Sequence, residues 1–421
     1  MLAWSRRSWL TWSPPVVIAL VVLIALQTSG GASDDGTAAP PSPSLSETTL
    51  QPQGDAVTPT TGFADREPTL PADPFDYGVE LPAHVGAGAD AFDTRPAGVA
   101  ESDEIATLGR VLFYDVNLSA NRTVRCASCH SQVHSFTDPL VRSQGLLGVR
   151  TRRNSMALAN VGFNPSGRYL WGEQAPSLEE QVVMPFVDPL EMGMSRDGLL
   201  ARIEEQSYYE PLFDAAYGDD QVTEGRVSTA LAQFLRAMVS VDSPYDDGRA
   251  EVSSPLEPFP NFTDMENEGK QLFFTPIADG GGGCAGCHVG ELQLNRPGGL
   301  ANNGIDRPTA EFQAPDLGAF EATGVRRDVG RFRVPSLRNI EVTGPYMHDG
   351  RLESLADVID HYNTTIQPHE NLSDELRDDA GGPVRLGFDE GQVAALVAFL
   401  HTLTDDEFLR DERFGEPFRS P

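Results

Sequence analysis

Cysteine is nearly absent from this chain. Its 421 residues carry four, all in two identical spacings: Cys126 and Cys129 before His130, and Cys284 and Cys287 before His288. None is left for a structural disulfide, so the cysteine count is a statement about cofactors. Positive charge is also scarce, with 31 Lys and Arg against 62 Asp and Glu and a formal net charge of -31. That balance argues against nucleic acid or an anionic membrane surface as partner, because both need cationic side chains to neutralise phosphate. A basic redox partner suits it better, although solubility alone also accounts for it. Strand signals are few and short. No apolar run reaches the ~20 residues of a membrane-spanning helix. The stretch Val16 to Leu26 follows Arg6 and Arg7 and precedes small residues through Ser33, which reads as a secretory signal over residues 1–32, with a retained anchor as the alternative. No cysteine follows it, which disfavours a lipid anchor.

What is present after the signal divides naturally. Residues 33–73 are dominated by Ala, Pro, Ser, Thr, Gly and Asp, a composition that cannot bury enough surface to fold and so reads as a disordered tether. Beyond it the apolar periodicity is helical. Ile105, Leu108 and Leu112 recur at helical intervals before the first cysteine pair. Thr263 and Glu266 form a capping-box pattern, followed by Leu272 and Phe273 before the second pair. This repeat implies an internal duplication. Val227, Leu231, Phe234, Leu235 and Met238 make a stripe closing a first domain, residues 74–252, before the Pro- and Ser-rich stretch 253–260. Val393, Leu396, Val397, Leu400 and Leu403 do the same for a second, residues 253–421. The Gly280 to Gly283 run reads as loop. The expected fold is mainly α, two cytochrome-c-like haem domains with long loops.

In Cys-x-x-Cys-His the two thiols bond to the porphyrin edge while the adjacent imidazole reaches the iron, so the chemistry demands both order and spacing. Two covalently bound haem c groups are therefore expected. A zinc site built from the two cysteine pairs is the competing reading, and it leaves the following histidine unexplained twice. Haem attachment of this kind takes place outside the cytoplasm in bacteria, which agrees with the signal and points to the periplasm.

The stretch from Arg333 through Tyr346-Met347-His348-Asp349-Gly350 to His361-Tyr362-Asn363 narrows the reading. Together with Arg153-Asn154-Ser155, Trp171 and Glu191-Met192, it resembles the bacterial di-haem cytochrome c peroxidase family, which includes MauG, over about residues 100 to 405. The resemblance implies that haem one, on His130, is peroxidatic and that haem two, on His288, transfers electrons. It places the distal ligand of the second iron about fourteen residues after His348, at Tyr362, where many peroxidases of the family have Met and MauG-like members have Tyr. Leu355, Ile359 and Tyr362 share one helical face after Ser354, a plausible N-cap. An ordinary core tyrosine is the plain alternative, and His361 and Met347 are rival ligands. Peroxidases of the family have a releasable distal His about seven residues before the Arg of Arg-Asn-Ser. Leu146 stands there, and no histidine lies between His134 and His288. His134 itself reads as structural. The implied first iron is five-coordinate at rest.

The resemblance further assigns Glu191 as the catalytic carboxylate, with Gln181 and Pro185 at other distal-pocket positions, and Trp171 as the electron relay between the haems. Asn154, Thr343 and Pro345 match the positions that hold a calcium ion. Hydrogen peroxide is the implied oxidant. A small periplasmic cytochrome c or cupredoxin is the implied donor, or else a partner protein whose Trp or Tyr side chains are oxidised, as by MauG. An oxygen ligand at Tyr362 favours the second reading, because it makes haem two a poor electron acceptor. A plain electron carrier, with both irons six-coordinate, is the third. Whether the chain forms a homodimer stays open.

Overall fold

A computed structural model describes residues 66–295, 298–306 and 316–418. The signal and most of the tether lie outside the described residues. Helices dominate, and the named strands among the described residues are two-residue pieces in two antiparallel pairs. No helix among the described residues is long and apolar enough to cross a membrane.

Two helix pairs organise the fold. In the first, α1 (Asp103–Tyr114) starts at Ser102, whose hydroxyl accepts the Ile105 N–H, and it buries Leu108, Val111 and Leu112 on one face. It packs against α2 (Tyr209–Tyr217) and crosses α3 (Glu224–Arg236). In the second, α4 (Asp264–Phe274) opens with the expected Thr263/Glu266 capping box. It crosses α6 (Glu390–His401), which Asp389 and Gln392 cap in the same way. Such caps contribute about 1 kcal/mol each. Between these two lies the short α5 (Leu355–Asp360), with Ser354 as its N-cap as expected. Both crossings turn on one glycine. A Cβ on Gly109 would stand 2.0 Å from the Ala230 carbonyl oxygen and 2.8 Å from Phe234 Cβ. One on Gly269 would stand 1.8 Å from the Ala395 carbonyl oxygen and 2.9 Å from Phe399 Cβ. Backbones that close admit no side chain, so the same crossing is built twice.

Each pair carries its own apolar core, one around Leu108, Phe113, Phe136, Leu231 and Phe234, the other around Phe273, Leu355, Ile359, Leu396 and Phe399. The chain does not end with the second. Phe408, Phe414 and Phe418 return to the first core, and Arg110 and Tyr114 donate to the carbonyls of Gly415 and Phe414, each at 2.7 Å. The tether is also shorter than its composition implied. Residues 66–73 are held, Thr69 N–H donating to Pro417 O at 2.8 Å and Leu70 packing on the first core. A few hydrogen bonds to a neighbouring segment suffice to order a stretch that could not fold alone.

Candidate haem sites

The first motif forms one helical turn, Cys126–Cys129, its Arg125 N–H and Ser128 side chain closing a capping box. His130 follows at its C-terminal end. The chain then doubles back through Ser135 and Phe136, both at positive φ, so that the Phe136 carbonyl accepts from His130 Nδ1 at 2.7 Å. This bond fixes the proton on Nδ1 and leaves Nε2 with its lone pair for a metal. Burial holds the imidazole neutral by lowering its pKa and pushes the Cys126 and Cys129 thiols up to about 12 and about 11.

Close to this motif lies the loop carrying Leu146. Leu146 N–H is shared between the carbonyls of Leu190 at 3.0 Å and Glu191 at 2.9 Å, and a Cβ on Gly145 would stand 1.9 Å from the Leu190 oxygen. The position where a distal histidine would sit therefore lies directly against Glu191. Burial, with the neighbouring Asp188 charge, lifts the Glu191 carboxyl to about 7, and its charge is felt by both thiols. Pro185 joins the same structure, its carbonyl accepting the Met192 N–H at 3.2 Å. Gln181 closes the short helix Leu178–Gln181 just upstream and is half-buried. Apolar side chains around the loop face outward, including Leu147, Val149, Met184 and Leu190. An apolar rim beside two thiols and a free imidazole nitrogen fits a porphyrin edge and face.

At the second motif, Cys284, Cys287 and His288 line a cavity with about 1400 Å³ of space free of protein atoms, part of it open to solvent. Its walls include Phe273, Ile359, Leu396 and Leu400. His288 Nδ1 donates to the Pro335 carbonyl at 3.1 Å, again freeing Nε2, and burial pulls its pKa down to about 4. Arg333 also lines the cavity, although it is only 9% exposed, and its Nε has no hydrogen-bond partner among the described residues. A buried donor without a partner is costly, although the guanidinium itself lies over the Tyr169 ring at 5.6 Å. Apolar walls, paired thiols, an imidazole and a guanidinium with a spare N–H fit a haem with its propionates. Arg333 had no sequence signal beyond opening a motif, being one of 31 Lys and Arg residues.

The rival distal ligands are sorted by this cavity. Tyr362 and Met347 both line it, while His361 is engaged elsewhere, Nε2 with the Asn303 carbonyl at 3.0 Å and Nδ1 with Thr365 Oγ1 at 3.1 Å. Tyr362 stands on a π-helical turn, His361–Thr365, that follows α5. Such turns recur at functional sites. Asn303 Nδ2 reaches both Met347 Sδ at 3.3 Å and Tyr362 Oη at 3.5 Å, and burial pushes the phenol up to about 12. Asn303 was not foreseen, because nothing local marks it.

Trp171 stands in the wall of the second cavity. Its indole N–H donates to the Asn154 carbonyl at 2.8 Å, and its ring meets His348 edge-on at 6.5 Å. His348 in turn stacks on Phe332 at 3.8 Å. The Asn154 N–H donates to the His348 carbonyl at 2.8 Å, three residues past Pro345, and the Asn154 amide donates to the Leu140 carbonyl at 3.2 Å. Thr343 caps a turn on the Ile340 carbonyl. Among the described residues no group of His, Cys, Asp and Glu side chains is arranged to hold a metal ion. His134 Nδ1 meets the Val342 carbonyl at 3.2 Å.

Comparison with known proteins agrees with this arrangement. Residues 103–252 match the family model described as di-haem cytochrome c peroxidase. The chain is 33% identical over 305 residues to the methylamine utilization protein MauG of Methylorubrum extorquens, covering 71% of this chain and 78% of that one. It is 30% identical to the cytochrome c551 peroxidase of Nitrosomonas europaea, covering 77% and 87%. A solved MauG-like protein associated with microbial copper homeostasis superposes with a TM-score of 0.67 at 30% identity, covering 81% of this chain and 99% of that one. With the fold, both attachment motifs and these relatives in agreement, the chain belongs to the di-haem cytochrome c peroxidase and MauG family.

Proposed function

We propose that the protein reduces hydrogen peroxide to water at the His130 site, with electrons passed through the His288 site from a small cytochrome c or cupredoxin in the periplasm. The observation that carries this reading is Glu191, a half-buried carboxyl lifted to about 7 by desolvation and the Asp188 charge, its backbone hydrogen-bonded to that of Leu146, whose side chain cannot ligate iron. Haem supplies the redox chemistry, an iron to which peroxide binds and a path for two electrons. The rest falls to the chain. Glu191, ionised, takes the proton from one peroxide oxygen and returns it to the departing one, within hydrogen-bond reach of both, so that water leaves. Gln181 and Pro185 shape the same pocket. Trp171 bridges the two sites as the electron relay, and Arg333 neutralises propionates at the second. Asn154, Thr343 and Pro345 are carried as calcium ligands only by resemblance.

Cyanide and peroxide should each shift the spectrum of the resting ferric protein at one haem. An unmoved spectrum at both would leave only an electron carrier. A second reading rests on Tyr362, whose phenol lies in the cavity with His288. Were Tyr362 to hold the iron bound at this site, its oxygen would lower that haem's potential and redirect the two oxidising equivalents to Trp or Tyr side chains of a partner protein. Steady-state oxidation of reduced cytochrome c by peroxide separates the two, negligible turnover favouring the protein-modifying reading.

A further inference from the structure

Beside the first haem motif lies a buried cluster that the peroxide chemistry above does not use. Asp115 follows α1 directly and is 1% exposed. One of its oxygens, Oδ2, accepts from two phenols, Tyr208 at 2.8 Å and Tyr209 at 2.9 Å. The other accepts the Asn117 N–H at 2.8 Å. The two ring centroids are 4.8 Å apart, Tyr209 fully buried and Tyr208 half-buried. The cluster is tied to the haem attachment: Arg125, the residue before Cys126, donates to the carbonyl of Tyr114, the residue before Asp115, at 3.2 Å.

We infer that Tyr209 and Tyr208, with Asp115 as their shared proton acceptor, form a redox relay that carries oxidising equivalents from the His130 site towards the surface when no electron donor is bound. This rests on the peroxide reading. A phenol gives up an electron readily only if its proton leaves with it, and a positioned carboxylate makes that transfer short. Reduction of hydrogen peroxide to two waters leaves a deficit of two electrons in the protein. In the relay one electron leaves Tyr209 towards the His130 site, its O–H bond breaks and the proton forms an O–H bond on Asp115. The product is a neutral tyrosyl radical beside a protonated carboxyl. Tyr208 then gives an electron to Tyr209, which takes its proton back from Asp115, while the Tyr208 O–H breaks and its proton passes to the same carboxylate; the neutral radical stands on the half-buried ring, where an external one-electron reductant restores it before the second equivalent follows. The electrostatics agree with this. Burial raises the pKa of Asp115, partly offset by the phenol hydrogen bonds, and raises that of Tyr209 well above the ordinary range, so the phenol loses its proton only together with an electron. Trp171 shares none of these contacts, so the relay is a second exit.

The test is freeze-quench paramagnetic resonance of the ferric di-haem protein mixed with hydrogen peroxide in the absence of donor. A tyrosyl signal is expected, with its hyperfine pattern collapsed by ring-deuterated tyrosine. Tyr209→Phe should lower the signal about tenfold or more, as loss of a positioned proton-transfer partner does, and Asp115→Asn should do so with the haem spectra unchanged. Tyr208→Phe should keep the radical but confine it to the buried ring, prolonging its life. If peroxide shifts the haem spectrum and the signal survives Tyr209→Phe together with Tyr208→Phe, or no tyrosyl signal forms, the relay is overturned and the peroxide reading stands. If peroxide leaves the native haem spectrum unmoved, both fall. Should Asp115→Asn fail to fold, the two Phe variants decide alone.

Discussion

The two halves of the molecule share a scaffold and differ in what stands near the haem motif. Each has a helix pair crossing at a glycine, Gly109 on Ala230 and Gly269 on Ala395, and each locks its histidine through Nδ1 to a backbone carbonyl. In the first half that carbonyl, Phe136, lies six residues away; in the second, Pro335, forty-seven. Near the first cysteine pair stands the loop of Leu146, hydrogen-bonded to the backbone of Glu191. The His288 cavity instead brings in Tyr362 and Met347, both held by Asn303. The duplicated frame sets where iron goes, and unduplicated loops decide what it does there.

The comparison breaks most visibly at Glu191. Glu191→Gln should slow the reaction with peroxide by a factor of about 10² to 10⁴, the usual worth of a positioned acid–base group, and leave the haem-two spectrum alone. Stopped-flow mixing measures it, and a loss below tenfold would remove Glu191 from its role. Next comes the distal side of the second site. Tyr362→Phe should shift the haem-two spectrum and raise its potential by roughly 0.1 V or more, within the ~0.8 V that axial ligands span. Met347→Leu should change neither. The opposite outcome makes methionine the ligand and strengthens the reading as a donor-driven peroxidase.

Much of this frame was legible in the sequence because it is local. Cys-x-x-Cys-His is contiguous by chemical necessity, and the Thr263/Glu266 box and the Ser354 cap lie within four residues. Glu191 and Trp171 were legible only through resemblance, since one carboxylate among 62 acidic residues carries no local mark. Whatever depends on distant backbone was not legible. Phe408, Phe414 and Phe418 show no helical period, so nothing foretold that they rejoin the first core. The same return pins residues 66–73, whose composition alone reads as tether. Asn303 and Arg333 acquire meaning only from the cavity they border.

The shared scaffold makes a symmetrical prediction of its own. Gly109→Ala and Gly269→Ala each place a methyl within 2.0 Å of a carbonyl oxygen on the facing helix, which forces the helices apart. Each should destabilise the holo-protein by about 1–3 kcal/mol, the ordinary cost of overpacking, and by similar amounts. Urea unfolding followed at the haem bands reads both. A large loss in one and none in the other would mean that the crossings are alike in shape but not in what they support.

The smallest effect separates the halves by pH. Burial raises the Glu191 carboxyl to about 7, and only its ionised form can take a proton from peroxide. Below that value the ionised fraction falls about tenfold per pH unit. The rate of reaction with peroxide should therefore climb through pH 7 and level off above about 8, losing roughly an order of magnitude by pH 6. Tyr362, bound through its oxygen, would have no proton to lose in this window, so the haem-two spectrum should stay constant across it. In Glu191→Gln the residual rate should be flat from pH 6 to 8. A persisting slope in that variant would place the controlling group elsewhere in the first half, and a haem-two spectrum that moved in step with the rate would show that the two sites titrate together.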